Sequence, residues 1–197
     1  METEFKKASE ISVNVRPMMS EIFVQGWYKD LQMFSKDKRK LQRTFEHLFN
    51  LDDFYVAWGD EKMLGFVAVN DRKNQRRVQT FDRREFRKHL GFFKGSFACW
   101  AMKREMNKEY PFEIPNGTGV VEFVATAESA RGQGIAKKLI AHAMERESYD
   151  RYILEVVDGN IGAIKLYERL GFSEFTRAKS PYPPKHTGFE YMIYMER

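Results

Sequence analysis

The chain has 197 residues, 43% of them hydrophobic and 31% charged, a balance that argues against a disordered chain and suits one soluble globular domain over residues 1–197. Its 33 Lys and Arg against 28 Asp and Glu leave a net charge of +5, enough to favour an anionic cofactor but too little to require a nucleic-acid partner. Cys99 is the single cysteine, so no intramolecular disulfide forms; M-E-T-E-F-K-K lacks an apolar leader and no apolar run reaches membrane-spanning length, so the expectation is a cytosolic protein with no membrane partner.

Residues 12–18 read as a first strand ended by Arg16-Pro17, and Ser20 is placed to cap a helix carrying Ile22, Phe23, Trp27, Leu31 and Phe34 at helical spacing. Residues 36–49 read as a second helix, with Leu41, Phe45, Leu48 and Phe49 inward and Lys36, Lys38, Arg39 and Lys40 outward. Residues 54–58 and 63–69 read as two strands of a hairpin around Gly59-Asp60-Glu61-Lys62.

A basic stretch follows. Residues 71–77 read as a polar turn, residues 81–90 and 92–110 have helical character, and Pro111, Pro115 and Gly117 mark a loop. Arg72, Lys73, Arg76, Arg77, Arg83, Arg84, Arg87, Lys88 and Lys94 make this the most basic part, either a solvated face or a recognition surface for an anionic partner. Cys99, in F-A-C-W-A-M, reads as an inert buried thiol. The apolar residues of the stretch, including Phe86, Phe92, Phe93, Phe97 and Trp100, need the main sheet or another subunit to pack against, because a piece of this size buries little core alone.

The run from Val120 to Ala136 is a strand entering a polar turn, then R-G-Q-G-I-A, then a helical pattern. A helix start without bulky side chains offers free N–H groups and a positive dipole end to an anion, and Gly132 and Gly134 allow close approach to the backbone. The spacing is neither G-x-x-x-x-G-K-S/T nor a three-glycine dinucleotide fingerprint. Residues 152–157 form the next strand, so the unit is strand–helix–strand with parallel neighbours. Asn160 then opens N-I-G-A-I-K-L-Y-E-R-L-G-F, with Tyr167 two helical turns on and Gly171 as a left-handed stop. Residues 172–177 and 188–195 read as closing strands about the Pro181, Pro183, Pro184 loop.

R-G-Q-G-I-A resembles the R/Q-x-x-G-x-G/A signature of the Gcn5-related N-acetyltransferase superfamily, and N-x-x-A-x-x-L-Y-x-x-x-G-F is similar to that family's second motif at the expected distance downstream. The resemblance covers residues 119–196 well and the N-terminal half in outline. It implies a mixed α/β fold: a mostly antiparallel central sheet with a parallel strand–helix–strand cofactor unit, flanked by helices. Residues 71–118 depart from the family, which passes almost directly from third to fourth strand, and are expected to form a helical cover beside the acceptor site.

The resemblance implies acetyl-CoA as cosubstrate and direct attack by a primary amine in a ternary complex. It assigns the main chain of Val124, Ala125 and Thr126 to the pantetheine arm, and that of Gly132, Gln133, Gly134, Ile135, Ala136 and Lys137 to the diphosphate. Arg131 adds charge or shapes the turn, and Asn160 bonds the arm, caps its helix, or both. Tyr167 is the expected proton donor to the leaving thiolate. Glu155, in L-E-V-V-D-G-N, resembles the glutamate of bacterial ribosomal-protein alanine N-acetyltransferases; Glu122, a carboxylate in an otherwise apolar strand, is the other candidate base, and water relay is the alternative to both. His47, His89, His142 and His186 lack a ligand-like spacing, so no metal is assigned.

The acceptor is left open among a protein amine, a small-molecule amine and aminoacyl-tRNA. Two other readings stand beside the enzyme: a non-catalytic acyl-CoA-binding module, and an RNA-directed acetylating protein using the basic stretch, although no RNA-binding motif is present. A homodimer is also open.

Overall fold

The computed structural model describes residues 3–71 and 80–197; Arg72, Lys73, Arg76 and Arg77 of the expected basic turn lie outside the described residues. The strands are β1 (Glu4–Lys7), β2 (Phe54–Gly59), β3 (Lys62–Asn70), β4 (Thr118–Thr126), β5 (Arg151–Val157), β6 (Ser173–Lys179) and β7 (Tyr191–Glu196). The helices are α1 (Arg16–Leu31), α2 (Lys38–Phe45), α3 (Arg83–Leu90), α4 (Phe92–Met106), α5 (Ile135–Glu147), α6 (Ile161–Glu168) and the short α7 (Pro184–Thr187). Among the described residues the strands make one sheet of order β1-β2-β3-β4-β5-β7-β6. Its neighbours are antiparallel except for β4 and β5, which α5 joins by a parallel crossover. This is the expected fold class. No helix among the described residues is long and apolar enough to cross a membrane.

Local sequence accounts for most of these elements. The β2–β3 hairpin turns on Asp60 and Glu61, both with positive φ (49° and 58°), as a two-residue turn that follows strand twist requires. Asp37 caps α2 by accepting from the Lys40 N–H at 3.1 Å.

Two N-terminal expectations are corrected. The first strand is Glu4–Lys7, paired with β2, and not residues 12–18. Pro17 instead enters the first turn of α1, where its fixed φ suits a helix and its missing N–H would have had no partner. Ser20 is no cap: it is fully buried within α1, and its hydroxyl donates to the Gln42 carbonyl at 2.6 Å, fastening α1 to α2.

The sheet separates two apolar clusters, and β3 shows how. Phe66 and Ala68 face a first cluster with Phe23, Phe45, Phe49 and Phe54, whereas Val67 and Val69 face a second with Leu139, Ile140, Leu154 and Tyr167. Edge-to-face ring pairs such as Phe49–Phe54 at 5.5 Å hold the first cluster together. Phe86, Leu90, Ala98 and Cys99 place α3 and α4 on this first face, packed beside α2. Gly95 permits the close α3–α4 contact, since a Cβ there would collide with the backbone of Phe86 and Arg87. The helices of the 71–118 stretch therefore lie across the sheet from Tyr167, not on its side. Phe92, Phe93, Phe97 and Trp100 do not reach the sheet and stay exposed.

Candidate functional site

The β4–β5 ladder pairs Thr118–Val121 with Arg151–Leu154 and then stops, although β4 runs on to Thr126 and β5 to Val157. The cause lies in β4. Phe123 has φ +53°, and the β3–β4 register slips between Phe66 and Ala68. Glu122 and Phe123 consequently both face the first cluster, and such a bulge bends the strand that carries it. Past Val121, β4 stays paired to β3 through Ala125 and Thr126, while β5 stays paired to β7 through Val157. Between them open two strand edges whose N–H and C=O groups have no ladder partner across the gap. Val124, Ala125 and Thr126 all lie on the β4 edge.

Beyond β4, a short turn leads through Arg131–Gly134 into α5. Gly132 and Gly134 have φ of +75° and +76°, a conformation only glycine adopts cheaply, and a Cβ at either would meet nothing within 4 Å. Open space thus stands before the α5 N-terminus. The Lys138 N–H reaches back to the Gly134 carbonyl at 3.2 Å, so the N–H groups of Ile135, Ala136 and Lys137 precede the first intrahelical donor and have no acceptor within the helix. Gln133 donates its Nε2 to the Ser129 carbonyl at 2.7 Å and braces the turn. Arg131 lies 3.8 Å from Glu128, an exposed pair that contributes little to stability.

Asn160 caps α6, its Oδ1 accepting from the Ala163 N–H at 3.2 Å. Two turns later Tyr167 is 7% exposed in the second cluster, edge-on to Phe172 at 6.2 Å between centroids. Burial pushes its phenol up to about 12. It therefore stays protonated at ordinary pH.

The two glutamates project from the opposite face. Glu155 sits between Leu154 and Val156, which belong to the second cluster, so its side chain points the other way. Glu122 accepts from Asn70 Nδ2 at 2.8 Å, and Asn70 is 2% exposed. Tyr194 stands opposite Glu155 in the β5–β7 register, and burial, then the Glu155 charge, raises its phenol to about 12. Tyr167 shares the second cluster with Val124 of β4 and Val156 of β5, whereas Glu122 and Glu155 project from the opposite face just past the end of the β4–β5 ladder.

Three neighbours escaped the sequence reading. Asn70 ends an apolar strand with no local signal of a partner. Tyr194 read only as part of a closing strand. Asp158, in the D-G-N turn, had a turn signature but no visible target. Its two carboxylate oxygens accept from the Glu190 and Tyr191 N–H groups, each at 3.1 Å, fastening the β6–β7 connection to the end of β5. Lys29 of α1 meets the same connection: its Nζ is 3.1 Å from where a Cβ on Gly188 would lie. A polar cavity of about 410 Å³ lined by Arg16, Arg43, His47, Glu85 and neighbours includes none of these residues.

The sequence model of the acetyltransferase (GNAT) family matches residues 17–172. N-alpha-acetyltransferase 30 of Schizosaccharomyces pombe is 33% identical over 88 residues, which cover 42% of this chain. The match spans 59% of that relative's length. A crystal structure of an N-acetyltransferase from Staphylococcus aureus Mu50 superposes with a TM-score of 0.63 at 15% identity, covering 98% of this chain and 100% of that one. A chain of the NatC complex bound to Gag peptide and CoA gives 0.53 at 16% identity, covering 100% and 98%. At these identities the structural likenesses show the shared fold.

Proposed function

The chain belongs to the acetyltransferase (GNAT) family, and from that premise we propose that it moves an acetyl group from acetyl-CoA to a primary amine, by direct attack in a ternary complex. The observation that carries this reading is the β4–β5 gap, whose open edges offer backbone partners to an extended chain of amides running toward the α5 N-terminus. In this reading Val124, Ala125 and Thr126 bond the pantetheine arm through their main chain, with Asn160 as a further partner. The backbone of Gly132, Gln133, Gly134, Ile135, Ala136 and Lys137 holds the diphosphate, with Arg131 adding charge at the turn. The open space beside Gly132 and Gly134 fits that role. A CoA-bound structural neighbour supports the same ligand class.

Acetyl-CoA supplies an acyl thioester already activated toward amines, so the protein needs chiefly to position the acceptor and move protons. Glu155 or Glu122 takes the proton of the incoming amine on one face of the gap. Tyr167 donates to the departing sulfur from the other. Residues 1–197 act as one domain in this account, with 71–118 as a helical insertion beside the carboxylates' face.

The test is an acceptor panel with acetyl-CoA, read by released thiol. Peptides with free N-termini come first, since two of the relatives are N-alpha-acetyltransferases, followed by lysine peptides, polyamines, amino sugars and aminoacyl-tRNA. Thiol release with one class supports the proposal. CoA binding without turnover on any class would leave an acyl-CoA-binding module, and absence of CoA binding would refute both.

A further inference from the structure

Asn70 closes β3, a strand whose residues from Met63 to Val69 are otherwise apolar or glycine, and it is 2% exposed. Its Oδ1 is buried and, among the described residues, accepts no hydrogen bond. An acceptor taken out of water and left unmet costs stability. A valine or leucine in its place would avoid that cost and suit the strand better. Packing therefore gives no reason for an amide here. The contact this amide does make is with Glu122, to whose Oε2 its Nδ2 donates at 2.8 Å.

That contact sorts the two carboxylates. Glu122 is half-buried and takes a donor from a buried residue of the neighbouring strand, which fixes its position. Glu155 is exposed, at the same step on the strand at the other side, where water can carry a proton away. A fixed anion suits the binding and orientation of a cation, whereas an exposed one suits the taking and release of a proton. A primary amine needs both, since it arrives as an ammonium and attacks as a free base.

Resting on the acetyl-transfer reading above, we propose that Asn70 is a positioning residue, which holds Glu122 as the anchor for the acceptor's ammonium and leaves proton removal to Glu155. The two side chains leave adjacent strands about 4.8 Å apart by ordinary sheet spacing, so one ammonium can meet both. It donates one N–H to Glu122 and passes one proton to Glu155, which gives it to water. The neutral nitrogen then forms its bond to the thioester carbonyl carbon. As the C–S bond breaks, nitrogen loses a second proton and sulfur gains one, so one proton is released overall.

Steady-state kinetics at saturating acetyl-CoA decide the matter. The probe amine is a peptide with a free N-terminus or, if that releases no thiol, the panel amine that does. Asn70→Leu keeps the bulk and removes the donor. The amine KM is expected to rise about 10-fold with kcat changed less than about 3-fold, CoA affinity unchanged and the melting temperature not lowered. Glu122→Gln is expected to raise KM to the same extent, and the double variant no further, because both act through one anchor. Glu155→Gln lowers kcat and leaves KM nearly unchanged. Should Asn70→Leu misfold, Asn70→Ala carries the same KM expectation. A wild-type KM in the folded Asn70 variant overturns the proposal, and with a lowered melting temperature it makes the amide a structural contact only. A Glu122→Gln variant that loses kcat at unchanged KM also overturns it, in favour of Glu122 as the base. A wild-type chain that binds CoA and acetylates no amine overturns the acetyl-transfer reading itself, and the proposal with it.

Discussion

Glu122 and Glu155 occupy the same step on neighbouring parallel strands, one residue past the last paired rung at Val121 and Leu154, and they project from the same face of the sheet. Their surroundings differ. Glu122 is held by the buried Asn70 amide, whereas Glu155 is exposed beside Tyr194. Replacing Glu155 with Gln is expected to lower kcat/KM about 10²-fold near neutral pH and remove the acidic limb of its pH profile. Glu122→Gln is expected to cost less, because the new amide oxygen still accepts from Asn70. If both variants keep the acidic limb, water or the ionisation of the acceptor accounts for it.

Tyr167→Phe keeps the ring packed on Phe172 and removes only the hydroxyl. Turnover should fall roughly 10²-fold or more with CoA affinity unchanged. Single-turnover acetylation at the wild-type rate would make Tyr167 a packing residue.

Gly134 combines a left-handed backbone with open space in front. Gly134→Ala is expected to cost about 1–2 kcal/mol of stability from the backbone alone and to leave CoA binding nearly intact. Gly134→Glu adds a carboxylate at the proposed diphosphate site and should weaken CoA binding by more than ~10²-fold. Calorimetric titration separates the two; equal affinities would move the cradle elsewhere.

Asp158 joins the end of β5 to the β6–β7 connection through two charge-assisted hydrogen bonds. Asp158→Ala loosens that connection where α1 also reaches it. The KM for the acceptor should rise about 10-fold, with a smaller change in CoA affinity. An effect confined to CoA binding would show that the connection does not line the acceptor path.

The raised Tyr167 phenol also makes an alkaline prediction. Below pH 10 both folded and unfolded chains keep the proton, and the buried phenol costs nothing in pH dependence. Between the unfolded value near 10 and the folded value of about 12, only the unfolded chain releases it, so stability falls as pH rises. The loss by pH 12 is on the order of 2–3 kcal/mol. Urea titrations from pH 9 upward should show this decline, and Tyr167→Phe should make it shallower; an identical decline in the variant would assign it to the other raised phenols, Tyr55 and Tyr194.

Features set by local spacing were legible in the sequence. The left-handed glycine turn before α5 and the two-turn separation of Asn160 and Tyr167 depend on residues a few positions apart, and so does the Asp60-Glu61 hairpin; backbone geometry relates such residues directly. The parallel β4–α5–β5 unit was readable for the same reason, since a crossover of that length has one preferred hand. Pro17 was not decidable locally, because proline can stop a strand or start a helix. Pairing of Glu4–Lys7 with β2 settled it.

What opens the site was decided only in three dimensions. Phe123 carries no sequence mark of its positive φ, which arises where β4 must pair with β3 on one edge and part from β5 on the other. Burial of Tyr167, the Asn70–Glu122 bond and the Asp158 latch join residues that strand register brings together from distant parts of the chain. The rings of α4 make the same point in reverse. Their apolar character predicted burial, but the inner side of that helix was filled by Gly95, Ala98 and Cys99, and the rings were left facing outward. Apolar composition states that a surface seeks cover, whereas packing alone determines whether the cover comes from the same chain.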